Sequence, residues 1–483
     1  MSIGTTVKTI QDIMRKDAGV DGDAQRISQL VWMIFLKVFD DREAERELLD
    51  DGYRSPIPQR LRWRNWATDA EGITGDALLD FVNGDLFKAL KELPATGKNA
   101  NIALVVRSVF EDAYNYMKSG TLMRQVIIKL NEIDFNKAGD RHAFGDIYEQ
   151  ILADLQGAGN AGEYYTPRAV TQFIVDMVDP KLGETVLDPA CGTGGFLTCA
   201  IEHMRGNYVK KAADEAVLQR SIFGIEKKQL PHLLCVTNMI LHEIDVPSQM
   251  RRDNALARPL RDYGPKDRVD VIVTNPPFGG MEEDGIENNF PTNFRTRETA
   301  DLFLVLLMTL LKPNGRAALV LPDGTLFGDG IKMRIKEKLL EECNLHTIVR
   351  LPKGVFAPYT GIKTNLLFFT KGEPTKAVWF YEHPYPDGAK SYSKTKPLAI
   401  KEFDPEKRWW TKRKETDHGW KVSIEDIKAR GYNLDIRNPK ALDDGPGDAD
   451  ELLRQYQDAA AQAATIRDQL RDELRAALEG ARE

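Results

Sequence analysis

The chain has 483 residues, of which 42% are hydrophobic, and a formal net charge of −7. This length allows about three folding units at roughly 150 residues each, and the hydrophobic content excludes an intrinsically disordered protein. The acidic balance argues against the chain as a whole being a nucleic-acid binder.

The four cysteines form no Cys-x-x-Cys pair, and the seven histidines show no metal-ligand spacing. We therefore expect no metal site, and a reducing, cytoplasmic location. The N-terminus lacks a signal-peptide pattern, and no apolar run approaches the roughly 20 residues of a membrane span, so no membrane association is expected.

The first predicted domain, residues 1–156, is almost wholly helical. Residues 25–49 repeat apolar side chains close to a 3.6-residue period, which is typical of a helix with one buried face. The same pattern predicts helices over residues 77–90, 101–116, 121–130 and 142–155.

Residues 54–66 lie between the early helices and combine four arginines with two tryptophans. Such a segment suits contact with a DNA backbone. The alternative is an amphipathic surface loop whose tryptophans, Trp63 and Trp66, are buried in the core.

The glycine-rich stretch 157–162 predicts a hinge and the start of a second domain, residues 157–440. Thr166 is a suitable N-cap and Pro167 a suitable first residue for the helix that follows. Tyr164 and Tyr165 place two aromatic side chains directly before this turn.

The segment Asp188-Pro-Ala-Cys-Gly-Thr-Gly-Gly-Phe196 follows a short apolar run and precedes a helical pattern. Strand, glycine turn and helix predict a nucleotide-type site, in which Gly192, Thr193, Gly194 and Gly195 let the backbone approach a ligand. Asp188, at the strand tip, suits an ammonium or hydroxyl group. A purely structural turn is the alternative.

The next predicted strand, residues 221–226, also ends on a carboxylate, Glu226, which suits the two hydroxyls of a ribose. Glu226 lies much farther from Asp188 than the about 20 residues of the dinucleotide fingerprint, and the third glycine is missing. Both departures favour a smaller adenosyl cofactor.

The segment Asn275-Pro-Pro-Phe278 follows the strand-like run 269–274. The two prolines have no backbone N–H groups, so neither can donate a hydrogen bond to a neighbouring strand. Their rigid turn holds the Asn275 side-chain oxygen and the Pro276 carbonyl as acceptors for an aromatic amine, with Pro277 fixing the turn and Phe278 suited to stacking on the base. A tight structural turn is the alternative. We expect this tip and residues 192–195 to face one cavity.

Further strands are predicted over residues 316–321, 347–351 and 365–370, with a helix over residues 331–342. Strands alternating with helices predict an α/β fold with a doubly wound, Rossmann-like sheet. Residues 279–299 form either a loop that orders over an extruded base or an inert surface loop. Residues 407–414 are basic and aromatic, and suit either phosphate contact or a solvated hairpin.

The third predicted unit, residues 441–483, is a helical tail. Leu452, Tyr456, Ala459, Ala463, Ile466 and Leu470 alternate by four and three. This seam predicts a coiled coil with another helix, and packing back on the chain's own domain is the alternative.

The order of the motifs at 163–168, 188–196 and 275–278 resembles the amino-DNA methyltransferases. More closely, the chain resembles the modification (M) subunits of type I restriction-modification systems, nearly from end to end. The resemblance implies an S-adenosylmethionine-dependent methyltransferase that modifies the N6 amine of adenine in a specific DNA sequence.

The resemblance also implies roles for particular residues. Glu163, Tyr164, Tyr165, Thr166, Pro167 and Arg168 would close over the methionine half of S-adenosyl-L-methionine, and Asp253 would contact its adenine amino group. The helical domain would help to clasp DNA.

No insertion after residue 278 is large enough for a separate DNA-recognition domain. We therefore expect sequence choice to come from another polypeptide. The resemblance implies that this polypeptide is a specificity (S) subunit, contacted by the tail, with two M per S. A restriction (R) subunit is compatible with the resemblance. The alternatives are cytosine-N4 methylation, methylation of protein or RNA amino groups, and a cofactor-binding scaffold without activity.

Overall fold

A computed structural model describes residues 3–69, 71–135, 166–357, 360–386, 389, 391–393 and 396–440, with isolated positions between 453 and 471. Met1–Ile436 form one compact unit and Arg437–Glu483 a second. The boundaries at residues 156 and 440 stay predictions.

The N-terminal part of the described chain is helical, in keeping with its apolar periodicity. Its helices are α1 (Ile3–Met14), α2 (Asp23–Leu49), α3 (Trp63–Trp66), α4 (Gly75–Asp80), α5 (Phe87–Lys91), α6 (Ala100–Phe110) and α7 (Gly120–Asn131).

Two of these helices differ from their predicted form. A π-helical turn, Phe81–Leu86, joins α4 to α5, so the helix predicted over residues 77–90 changes its winding midway. Helix α6 ends at Phe110, well before the predicted end at residue 116. The helix predicted over residues 142–155 lies outside the described residues.

The arginine- and tryptophan-rich segment packs against the helices. Trp63 and Trp66 are buried, and their rings meet edge to face with centroids 5.2 Å apart. Arg62 and Arg64 both pair with Glu47 at 2.9 Å. The buried-tryptophan alternative therefore describes this segment, and the charges of these two arginines are already matched.

A nine-stranded sheet forms the centre of the remaining chain, in the order β3-β2-β1-β4-β5-β7-β6-β8-β9. Its strands are β1 (Val186–Asp188), β2 (Ile222–Glu226), β3 (Met250–Arg252), β4 (Val269–Thr274), β5 (Leu311–Pro322), β6 (Cys343–Leu351), β7 (Thr364–Lys371), β8 (Ala377–Glu382) and β9 (Gly419–Ser423).

The sheet is mixed. Strands β1 to β5 run parallel, whereas β7 runs antiparallel between β5 and β6. The predicted α/β sheet is confirmed, but β3, β8 and β9 were not predicted.

Successive strand side chains point to opposite faces. Accordingly Val271 and Val273 of β4 enter one apolar cluster, and Ile272 enters the other. Helices cover these apolar clusters. They are α8 (Arg168–Val178), α9 (Gly195–Asn207), α10 (Ala212–Leu218), α11 (Gln229–Leu241), α12 (Thr299–Leu310), α13 (Asp323–Leu326), α14 (Ile331–Glu342), α15 (Asp404–Thr411) and α16 (Ile424–Ala429).

The helical N-terminal part packs on this α/β part through α2 and α11. Gln229 donates a hydrogen bond of 3.0 Å to the Val109 carbonyl, and Arg252 pairs with Glu111 at 3.0 Å. These contacts explain why the two parts form one compact unit.

The first part of the basic, aromatic segment 407–414 belongs to helix α15, which ends at Thr411, and does not form a hairpin. Trp409 is buried, and the Trp410 ring lies 4.7 Å from that of Phe368. The Arg413 guanidinium stacks 4.7 Å from the centre of Trp410. The aromatic residues therefore contribute to the core.

Candidate active site

The glycine-rich motif forms the turn between β1 and α9. Gly192 and Gly194 have φ angles of 53° and 86°, in the left-handed region that favours glycine. A Cβ atom at Gly194 would lie 2.9 Å from Cys235 Sγ, whereas one at Gly195 would meet nothing within 4 Å. Gly194 is thus required by packing, and Gly195 leaves space open.

The two motifs share one cavity of about 60 Å³. It is lined by Thr166, Thr171, Asp188, Ala190, Cys191, Gly192, Thr193, Gly195, Phe196 and Asn275. Strands β1 and β4 are parallel neighbours, with Leu187 opposite Ile272, so their carboxyl ends reach the same edge of the sheet. This pairing brings the two motifs together.

Asp188 is buried at the end of β1. Its Oδ1 accepts hydrogen bonds from Thr274 Oγ1 at 2.6 Å and from the Ala190 N–H at 3.1 Å. Burial raises the pKa of Asp188 to about 7, the Glu226 charge adds to the rise, and the two hydrogen bonds oppose it. Near neutral pH, a bound cationic ligand would therefore favour the charged form of the Asp188 carboxyl.

Glu226 supports the glycine turn from the neighbouring strand. Its Oε2 accepts from the Gly192 N–H at 2.9 Å, and its Oε1 accepts from the Lys228 N–H at 2.7 Å. Burial raises the pKa of Glu226. Asp253 lies beside it, since its N–H donates to the Glu226 carbonyl at 3.0 Å. Neither residue lines the cavity, and Asp253 is exposed.

The two polar atoms of the Asn275 side-chain amide differ in their hydrogen bonding. Its Nδ2 donates to Thr166 Oγ1 at 2.8 Å, while its Oδ1 is buried and has no hydrogen-bond partner within the described chain. A buried acceptor left unpaired costs roughly 1–3 kcal/mol. Asn275 Oδ1 is therefore available to a donor beyond the described residues, such as a ligand.

Thr166 does not have the predicted capping role. Helix α8 begins at Arg168 with Pro167 as its N-cap residue, and no side-chain capping hydrogen bond is present there. The prediction was wrong because the Thr166 hydroxyl meets Asn275 instead. Glu163, Tyr164 and Tyr165 lie outside the described residues.

Arg168 joins two helices rather than lining the cavity. Its Nη1 donates to Thr198 Oγ1 at 2.8 Å, and its Nη2 pairs with Glu202 at 2.7 Å. Both partners belong to α9, so Arg168 fixes the first turn of α8 against the helix that follows the glycine motif.

The rest of the second motif is partly enclosed. Pro276 is buried and Pro277 exposed. Phe278 is only 4% exposed and packs edge to face on Phe356, with centroids 6.0 Å apart. For Phe278 to stack on a base, its ring would have to be uncovered.

Sequence reasoning missed Thr274 and Thr171. Thr274 holds Asp188, and Thr171 lines the cavity. Thr274 directly precedes Asn275 at a strand end, which was an available signal once β1 and β4 were known to be neighbours. No local signal marked Thr171.

No helix in the described part of the chain is long and apolar enough to cross a membrane. Across the same residues, no group of three or more His, Cys, Asp or Glu side chains gathers as it would around a metal ion.

Family models cover nearly the whole chain. Residues 139–444 match the N-6 DNA methylase family, and residues 3–130 match the HsdM N-terminal domain. Together with the sheet and the shared cavity, these matches define a methyltransferase of the S-adenosylmethionine-dependent class. The chain belongs to the N-6 DNA methylase family, and within it to the methylase subunits of type I restriction enzymes.

Individual relatives come from the same class of restriction systems. The methylase subunit of the type I restriction enzyme EcoEI from Escherichia coli is 63% identical, over 99% of both chains. A modification subunit of a putative type I restriction enzyme from Vibrio vulnificus YJ016 has a TM-score of 0.83 and 46% identity, over 91% of this chain and 97% of that one. A chain from a structural study of complex assembly in a type I system has a TM-score of 0.82 and 36% identity, over 98% of both chains.

Proposed function

We propose that the chain methylates the N6 amine of adenine in a specific DNA sequence, using S-adenosyl-L-methionine bound between the glycine turn and Asn275. The observation that carries this proposal is the buried, unpaired Asn275 Oδ1, which lines the same cavity as Gly192 and Gly195. An acceptor in that position requires a donor, and the exocyclic amine of adenine supplies two N–H groups.

The cavity fits part of the cofactor. About 60 Å³ is well below the roughly 300–1,000 Å³ typical of a pocket for a whole ligand of this size. Asp188, at the base of the cavity, suits the ammonium group of the methionine half. Residues 136–165, which include the rest of the predicted cofactor turn, adjoin this site in sequence.

The neighbouring carboxylates have complementary roles. Glu226 holds the Gly192 N–H and suits a ribose hydroxyl with its remaining acceptor capacity. Asp253, beside the Glu226 backbone, suits the adenine amino group of the cofactor. Thr193, Gly194 and Gly195 provide the backbone that approaches the ligand.

The chain's residues would act by positioning an unreactive nitrogen. The lone pair of an aromatic amine is conjugated with its ring. Asn275 Oδ1 and the Pro276 carbonyl would each accept one N–H, which favours a tetrahedral nitrogen with its lone pair free to attack. The cofactor supplies a methyl group already activated on a sulfonium. Orientation therefore provides most of the rate gain.

The target base must leave the duplex to reach this cavity, as enzymes acting on bases require. Phe278 would then stack on it, after moving away from Phe356. The rigid turn of Pro276 and Pro277 would keep the two acceptors, Asn275 Oδ1 and the Pro276 carbonyl, in place while the Phe278 side chain moves.

Recognition of the DNA sequence would come from a specificity subunit, with two of these chains per specificity subunit and a restriction subunit compatible with the same assembly. The described tail positions support a partner helix. Tyr456, Ile466 and Leu470 are helical and 72%, 63% and 57% exposed. Large apolar side chains this exposed along one seam are typical of an unpaired coiled-coil face.

The test is Asn275→Ala in the complex with the specificity subunit, supplied with cofactor carrying a labelled methyl group. We expect methyl transfer to fall by at least 100-fold, since removing one preorganised polar group costs about that much, while cofactor binding persists. Asn207→Ala, at the exposed far end of α9, is the matched control. Unchanged transfer by Asn275→Ala, or label on cytosine or on protein, would contradict the proposal.

A further inference from the structure

A second cavity lies in the helical N-terminal part, away from the methyltransferase motifs. It has a volume of about 490 Å³ and is lined by Asn83, Lys88, Lys91, Tyr114, Asn115 and Lys118, among others. This volume lies within the range of small-molecule sites. We call it the basic cleft.

The charge of the basic cleft is unbalanced. Lys88, Lys91 and Lys118 make no ion pair with any described residue, and Glu92 is the one acidic side chain in the lining. Lys88 and Lys91 lie three residues apart on α5, where like charges are neighbours and destabilise a helix. An anion between the three ammonium groups would relieve that repulsion.

Asn115, which lines the basic cleft, also carries a buried acceptor without a partner among the described residues. Asn115 is 4% exposed, and its Nδ2 donates to Asn83 Oδ1 at 3.1 Å and to the Met117 carbonyl at 3.3 Å. Its Oδ1 has no donor within the described chain. A phosphate dianion carries no hydrogen to donate, so the occupant must also bear an N–H or O–H group.

Tyr114 adds an aromatic surface. Its side chain is exposed, and the Lys118 ammonium lies 5.8 Å from the ring centre. An exposed ring beside a cation suits stacking of a heterocyclic base, as in proteins that bind single-stranded nucleic acid.

The backbone at the cleft is unusual as well. Asn83 lies within the π-helical turn Phe81–Leu86, and such turns are frequent at functional sites. The turn carries Asn83, whose Oδ1 accepts the hydrogen bond from Asn115 Nδ2.

We propose that the basic cleft binds a nucleotide, with its phosphate among Lys88, Lys91 and Lys118, its base on Tyr114, and a sugar or base donor on Asn115 Oδ1. The duplex backbone alone lacks such a donor. The same chemistry is offered by a free nucleotide and by an unpaired nucleotide of a DNA strand, and the experiment separates these sources.

The experiment measures binding of adenosine 5′-monophosphate to the full chain by calorimetry, and maps the site with its 8-azido derivative by photo-crosslinking. We expect a dissociation constant of roughly 1 mM or tighter, and crosslinks within residues 81–92 or 113–118. Inorganic phosphate and adenosine, offered separately, should each bind at least about tenfold more weakly. Crosslinks confined to residues 188–196 would overturn the proposal, because they would assign the binding to the methyltransferase cavity.

Surface variants keep the test independent of folding. The double variant Lys88→Ala, Lys91→Ala should weaken binding at least about tenfold, because each removed lysine loses a hydrogen bond to a charged group. Tyr114→Ala should also weaken it. Lys8→Ala, an exposed lysine of α1, is the matched control. Equal binding by the double variant and the control would overturn the proposal.

A single-stranded oligonucleotide and a DNA duplex, used as probes, distinguish a free nucleotide from an unpaired nucleotide of a DNA strand. If a single-stranded oligonucleotide binds through these lysines more tightly than the free nucleotide, the occupant is an unpaired nucleotide of a strand. If the free nucleotide binds as tightly, the cleft is a small-molecule site. Lysine-dependent binding of duplex DNA, with none of either other probe, would refute a nucleotide site.

Discussion

The Asn275 side-chain amide donates a hydrogen bond to the Thr166 hydroxyl across 2.8 Å, joining residues that lie 109 positions apart. This bond fixes which end of the amide is available to a ligand, because Nδ2 is occupied and Oδ1 has no partner in the part of the chain that the structure describes. Thr166 is thus a positioning residue for the proposed amine acceptor.

Replacing Thr166 by valine removes the acceptor while keeping the side-chain shape. We expect kcat for methyl transfer to fall about 3- to 10-fold, the range of one ordinary hydrogen bond, with a smaller change in cofactor affinity. Thr166→Ser keeps the hydroxyl and should stay close to wild type. Equal losses in both variants, in steady-state assays of the assembled enzyme, would argue against a role for the hydrogen bond.

Gly194→Ala tests packing of the glycine turn. The new Cβ would lie 2.9 Å from Cys235 Sγ and 3.1 Å from Met239 Cε, at a φ of 86°. Gly183→Ala has a similar φ of 92° but meets nothing within 4 Å. Overpacking should therefore lower the free energy of unfolding by about 1–3 kcal/mol more in Gly194→Ala than in Gly183→Ala. Urea denaturation measures the difference.

The raised pKa of Asp188 predicts a pH dependence of cofactor binding. Below about 7 the carboxyl is largely protonated in the free protein, and a neutral group attracts an ammonium weakly. Affinity for S-adenosylmethionine should therefore rise as pH increases towards 7 and level off above it. Calorimetry at a series of pH values measures the profile.

Asp188→Asn provides the control for that profile, because the amide does not titrate in this range. Its affinity should be low and nearly independent of pH. Glu226, which also has a raised pKa, remains in this variant. A pH slope that survives in Asp188→Asn would therefore assign the dependence to Glu226.

The tail can be tested without disturbing the catalytic part. Ile466→Asp combined with Leu470→Asp places two charges on the exposed seam, and should abolish association with the specificity subunit because charges are excluded from a coiled-coil core. Cofactor binding should persist. Gln457→Asp, helical and exposed next to Tyr456, is the control off the seam. Size-exclusion chromatography measures association, and an intact complex from the double variant would rule out this seam.

Local sequence patterns determined where many elements begin and end. The apolar runs at residues 221–226 and 269–274 correspond closely to β2 and β4, and the helix over residues 331–342 was predicted with the bounds of α14. Such patterns suffice because burial of adjacent side chains depends on periodicity along the chain. The two motifs could be placed for the same reason, since both directly follow strongly apolar strands.

Only the tertiary structure decided the contacts between distant residues. The antiparallel insertion of β7, the pairing of β8 with β9, the burial of Phe278 on Phe356 and the bond from Asn275 to Thr166 all join segments that are remote in sequence. Hydrogen bonds and side-chain packing depend on distance in space, and no local pattern encodes which remote partner will be near. For that reason the sequence alone determined the elements and motifs of this methyltransferase, whereas the fold decided which polar atoms stay unpaired in its cavity.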